Sequence, residues 1–249
     1  MKKIIFSGLM VSMLCADFTL VYEMDMGEGM MEEVIQYRDD KNVKLFFQNP
    51  SRKGHDKATG QYIINGTRYT VVREDGKLTY MNMNKIEEVT DKLTEELNVS
   101  KDQEGEQANQ KPFFKVLKKD GTRSIAGVKG EVWTVESEED GRKYQEEIIV
   151  TINKEVVEAM HNAFEALNQF GEGPYGMDID HDMQSMMMVA DGYVLIQAKG
   201  IEFKKLDNEK IPDSVFVLPK EAVDGMENLP KMDEAKKKAG KELLKNMLE

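Results

Sequence analysis

Apolar and polar side chains alternate with period two along most of this chain, as they do in strands that bury one face and wet the other. Phe18, Leu20, Tyr22 and Met24 share one side of an opening strand. Tyr144, Ile148, Val150 and Ile152 share one side of a later strand together with Glu146. Further strands are predicted at Val34–Arg38, Val43–Gln48, Gln61–Ile64, Arg68–Glu74, Leu78–Met83, Phe113–Lys118, Glu131–Glu136, Tyr193–Ala198 and Ile201–Leu206. Asn65-Gly66, Asp75-Gly76, Asp120-Gly121, Asp140-Gly141 and Asp191-Gly192 punctuate them, and such pairs supply the positive φ of tight hairpins. Half-buried strands joined by tight turns make a large antiparallel sheet.

The period changes to that of a helix in three places. From a cap at Asn84, the residues Ile86, Val89, Leu93 and Leu97 form one stripe. From a cap at Asn153, a longer stripe runs through Val156, Val157, Met160, Phe164, Leu167 and Phe170 to a stop at Gly171. A lysine-rich tail over 221–249 carries a weak stripe through Ala235, Ala239, Leu243 and Met247. Segment 99–111 is almost devoid of apolar residues and cannot pack, so it is expected as an insert between two similar sets of strands. The predicted fold class is α+β: one domain over 17–220, with helices packed in or across the concave face of a curved antiparallel sheet.

The first residues change the compartment. Met1-Lys2-Lys3 precede an apolar run from Ile4 to Ala16, and Asp17 is polar, which is the order of a secretory signal peptide over 1–16. That run falls short of the ~20 residues a helix needs to cross a bilayer, so no transmembrane span is expected. The expected location is the periplasm. Leu14 precedes Cys15 where lipoprotein processing wants a small residue, so cleavage after Ala16 is favoured over lipidation. Cys15 is the sole cysteine, and its removal leaves neither disulfide nor thiol nucleophile. Loss of two lysines takes the formal charge from −12 to −14, which repels phosphate backbones and argues against a nucleic-acid partner.

Candidate chemistry is sparse. There is no G-x-S-x-G elbow and no phosphate-cradling glycine motif, so no enzymatic activity and no cofactor are expected. His55, His161 and His181 fit a solvated loop, a helix edge and an acidic surface run better than catalytic roles. Asp178, Asp180 and Asp182 alternate as in a calcium loop, but Met183 and Val189 stand where its glycine and glutamate belong. Methionine is the unusual feature, clustered near the start and again near His181. Met24, Met26, His181, Met183 and Met186 form the metal-binding alternative, since thioethers and imidazole hold Cu(I) where cysteine is absent. The competing reading makes these methionines adaptable apolar packing.

Two stretches carry a resemblance. Gly121-Thr122-Arg123-Ser124-Ile125-Ala126-Gly127 followed by Val132-Trp133-Thr134-Val135, and Ile211-Pro212-Asp213-Ser214-Val215-Phe216-Val217-Leu218-Pro219, are similar to elements of an uncharacterised bacterial envelope family. Phe18 to Met24 is similar to its opening strand. That family is related in fold to the lipoprotein carrier LolA and its receptor LolB. The resemblance implies a LolA/LolB-like half-barrel with an apolar cavity. On this reading the protein binds a hydrophobic or lipid-like ligand, with Phe164, Leu167, Phe170, Met186 and Met188 lining the cavity. The third alternative is a structural or partner-binding envelope protein whose cavity is filled by its own helices.

Overall fold

A computed structural model describes residues 17–25, 27, 29–49, 57–89, 114–139, 142–168, 188–189 and 192–225. The signal segment 1–16, the insert 99–111 and the chain beyond Gly225 lie outside them, as do Met26, Phe170, His181, Met183 and Met186. The first six strands are β1 (Phe18–Asp25), β2 (Met30–Asp39), β3 (Asn42–Gln48), β4 (Gly60–Ile64), β5 (Thr67–Glu74) and β6 (Lys77–Asn82). They are followed by helix α1, helical over the described residues 83–89. Then come β7 (Phe114–Ile125), β8 (Val128–Glu139), β9 (Arg142–Thr151), helix α2 (Lys154–Leu167), β10 (Met188–Val189), β11 (Tyr193–Ala198), β12 (Ile201–Asp207) and β13 (Val223–Asp224).

All thirteen strands among the described residues belong to one sheet, in the order β13-β6-β5-β4-β3-β2-β1-β12-β11-β9-β8-β7, with β10 beside β11. The chain starts mid-sheet at β1, walks outward to β6, resumes at the other edge with β7, returns to the middle at β12 and ends with β13 outside β6. Neighbours are antiparallel except β13, which runs parallel to β6. The fold is α+β, dominated by a large antiparallel sheet that is open, its edge strands β13 and β7 not paired with each other. Flat strands four places apart would lie about 19 Å from one another. Cα atoms of β7 and β12 come within 8 Å although β8, β9 and β11 lie between, so this wing is sharply bent.

Several expectations need correction. Asp120-Gly121 is not a hairpin turn: it sits inside β7, where the register with β8 shifts between Lys119 and Thr122. Gly121 (φ 105°) takes up that bulge, and the hairpin closes instead at Ala126-Gly127 (φ 46° and 83°). Asn84 does not cap α1. Asn82 accepts the Lys85 N–H at 3.1 Å, while the Asn84 side chain accepts the Arg68 N–H at 2.8 Å and ties the helix to β5. Val89, expected on the buried stripe, is exposed. On β9, Tyr144 is exposed and Ile152 falls beyond the strand, while Ile148, Ile149, Val150 and Thr151 are buried consecutively. That half of β9 is covered on both faces rather than one.

The C-terminal segment covers the face opposite α2 on the other wing of the sheet. After β12 it crosses the face opposite α2 to reach β6. Ile211 N–H donates to Asp17 at 2.8 Å, and Arg38 donates to the Ile211 carbonyl at 2.5 Å. The Arg38 guanidinium also pairs with Asp213 at 2.8 Å and lies 4.8 Å from the Phe216 ring centroid. Leu218 and Ala222 then pack on Tyr62, Val71 and Leu78 before β13 joins β6.

Candidate functional site

Helix α2 forms where its stripe says it should. The Asn153 side chain accepts the Val156 N–H at 3.2 Å, satisfying one of the donors a helix start leaves free. Val156, Ala159, Met160, Ala163, Phe164 and Leu167 are buried on one side. The helix packs against β11 and β1, and the alanines let its axis approach the strands closely. Phe164 and Leu167 are 6% and 3% exposed.

These residues belong to an apolar layer that reaches across the sheet, from Val132 and Ile149 on one wing through Leu20 and Tyr22 to Leu45 and Ile63 on the other. A helix of this length is about 21 Å long and 10 Å across, whereas the eight neighbouring strands from β4 to β8 that carry the layer's buried side chains would span about 34 Å side by side. The layer is thus wider than α2, and Met83 and Ile86 of α1 cover part of the remainder.

Polar groups interrupt it. One cross-strand row reads Phe203, Tyr22, Glu33, Phe47, and the adjacent row Leu20, Ile35, Leu45, Gln61, Thr70, Met81. Tyr22 donates its hydroxyl to the Leu195 carbonyl at 2.8 Å and meets the Phe203 ring edge-on at 5.6 Å. Glu33 is 3% exposed, and no ion pair or hydrogen bond reaches its carboxyl among the described residues. Burial pushes that carboxyl up to about 7 and, with Glu33 adding to it, pushes the Tyr22 phenol far above its ordinary range. Gln61 and Thr70 are each 2% exposed, and Gln61 Oε1 and Thr70 Oγ1 have no hydrogen-bond partner among the described residues.

A second constellation sits on the opposite face. Glu131 accepts from Trp133 Nε1 at 2.9 Å and from the Tyr193 hydroxyl at 3.0 Å. The Trp133 and Tyr193 rings are 4.8 Å apart, with the Lys119 ammonium 4.3 Å from the Trp133 centroid. The indole hydrogen bond, the Tyr193 hydroxyl and the nearby Lys119 charge hold the Glu131 carboxyl below the usual range. Every polar atom in this group is matched, and it reads as a pin between β7, β8 and β11.

Of the cavity residues expected from sequence, Phe164 and Leu167 lie in the helix-side layer, and Met188 lies in β10 opposite Val194. Phe170 and Met186 fall outside the described residues. Of the metal alternative, Met24 is buried among apolar side chains beside Ile201, and its four proposed partners are outside the described residues. His161 is exposed at the helix edge, 3.8 Å from Glu165. Sequence reading missed Tyr22, Glu33, Gln61 and Thr70 as a set. For Glu33 the signal was present, since Met31, Ile35 and Tyr37 surround it at alternate positions and a strand begun at Val34 leaves it out.

No helix among the described residues is long and apolar enough to cross a membrane. No protein-family model, curated protein or solved structure matches the chain. What the fold and site define is an α+β protein with an open antiparallel sheet, one face of which carries a helix and a broad apolar layer.

Proposed function

We propose that this chain is an exported, non-enzymatic periplasmic protein with a LolA/LolB-like curved sheet that binds a hydrophobic or lipid-like ligand between α2 and the strands. The observation that carries this reading is the mismatch of scale: an apolar layer running across both wings, against the 14-residue α2 and the short described turn of α1, which adds Met83 and Ile86 at one side. Buried polar groups without partners inside that layer add to it, because cores that serve packing alone rarely keep them. Support for the envelope location comes from the signal-like start and the acidic, cysteine-poor body.

Mass spectrometry of the natively purified mature chain tests the proposal, together with titration of a hydrophobic fluorescent probe. Co-purifying lipid and a saturable site are expected. Protein free of extractable lipid and without such a site would overturn it.

The close packing of Phe164 and Leu167 favours a second reading, in which α2 is itself the permanent occupant and the protein serves as a structural or partner-binding element. A variant in which α2 is linked by a disulfide to β1 separates the two. Ligand uptake lost on oxidation and regained on reduction supports a movable helix, whereas no saturable probe site in either state points to the fixed one.

A further inference from the structure

Glu33, Gln61 and Thr70 lie on the helix side of the sheet within strands β2 to β5. Gln61 and Thr70 are direct cross-strand neighbours. Gln61 faces Leu45, and Glu33 faces Phe47, the next residue of β3 on the same side. Strand spacing and rise put Glu33 and Gln61 about 12 Å apart at the backbone, close enough for both side chains to meet one small polar group. Gln61 Oε1 and Thr70 Oγ1 are the partnerless atoms, the first an acceptor and the second able to accept or donate, and the Glu33 carboxyl beside them becomes acceptor-only once it ionises above about 7.

The surrounding charges decide what can approach them. Arg38 and Lys44 belong to the opposite face, against Phe216 and Phe46, and Arg68, two residues from Thr70, is committed to Glu87 of α1. An anionic head brought here would meet a buried carboxyl and, among the described residues, no cation beside it other than Arg68, inside a chain of formal charge −12. A head bearing N–H or O–H donors would satisfy the acceptors, and the apolar layer would receive its chain.

We propose that this patch recognises the head of a single-chain, non-anionic amphiphile that donates hydrogen bonds, an alkylamine above all. The assignment rests on the hydrophobic-ligand reading and specifies its headgroup.

Dodecylamine, dodecanol and dodecanoate, competing for a hydrophobic probe on the full chain at pH 8, test it. Dodecylamine should bind at least about tenfold more tightly than dodecanoate, the scale of one hydrogen bond to a charged group. Glu33→Gln should abolish most of the preference for dodecylamine over dodecanol, and Thr70→Val, which keeps the shape, should weaken dodecanol several-fold. Melting curves establish that both variants are folded. Dodecanoate binding as well as dodecylamine, or an amine preference surviving in Glu33→Gln, overturns the headgroup assignment while leaving the ligand reading standing. Failure of all three chains to displace the probe overturns both.

Discussion

Tyr22 and Glu33 stand opposite each other across the β1–β2 ladder, both buried, yet the tyrosine gives its one hydroxyl proton to the Leu195 carbonyl 2.8 Å away. That bond joins β1 to β11 across the intervening β12. Glu33 is left beside a donor already spent.

Stability should therefore fall as pH rises through the range where only the unfolded chain ionises Glu33. The folded carboxyl keeps its proton to about 7, against an ordinary value of 4.5. Below 4.5 both states are protonated; between 4.5 and 7 the unfolded state loses its proton first, and above 7 the penalty is complete. Its size is on the order of 3 kcal/mol. Carboxylates held low, such as Glu131 and Glu202, act in the opposite sense at acid pH, so wild type must be compared with Glu33→Gln. Denaturant melts at pH 4 and pH 8 should show the variant gaining stability over wild type only at the higher pH. An equal difference at both would mean that Glu33 is not held neutral.

Tyr22→Phe keeps the ring against Phe203 and strands the Leu195 carbonyl. A loss of about 1–3 kcal/mol is expected, read as a lower denaturant midpoint with an unchanged slope.

Phe164→Ala removes a ring from the centre of the helix-side layer and should cost about 3–5 kcal/mol if α2 is a permanent part of the core. If α2 yields to a ligand, the same variant should lose less and change its probe affinity. Chemical denaturation and probe titration on one preparation read both quantities.

Arg38→Met should release the C-terminal segment without unfolding the sheet, because it removes contacts to Ile211, Asp213 and Phe216 while keeping an apolar stem. Limited proteolysis should then cut within 208–222 sooner than in wild type. Unchanged cleavage would show that the apolar contacts of Leu218 and Ala222 hold the segment alone.

Most strands could be read from the sequence because their period is local: the alternation through Phe18, Leu20, Tyr22 and Met24 needs no distant partner to be seen. Helix α2 was legible for the same reason, down to its cap at Asn153. The turns were less so. Asp120-Gly121 and Ala126-Gly127 both offer a glycine at positive φ, and which becomes hairpin and which bulge depends on the register of β8.

The candidate site was the least legible. Glu33 is one acidic residue among many until β1 and β3 close on either side of it, and Gln61 and Thr70 become neighbours only through the β4–β5 pairing. The sequence by itself determined the strands, the amphipathic helix and the acidic, cysteine-poor character, since each follows from composition or from spacing along the chain. Tertiary structure alone decided the strand order, the crossing of the C-terminal segment under Arg38 and the burial of an unpaired carboxyl. Those depend on which residues distant in sequence share a face, and desolvation exists only once that face is covered.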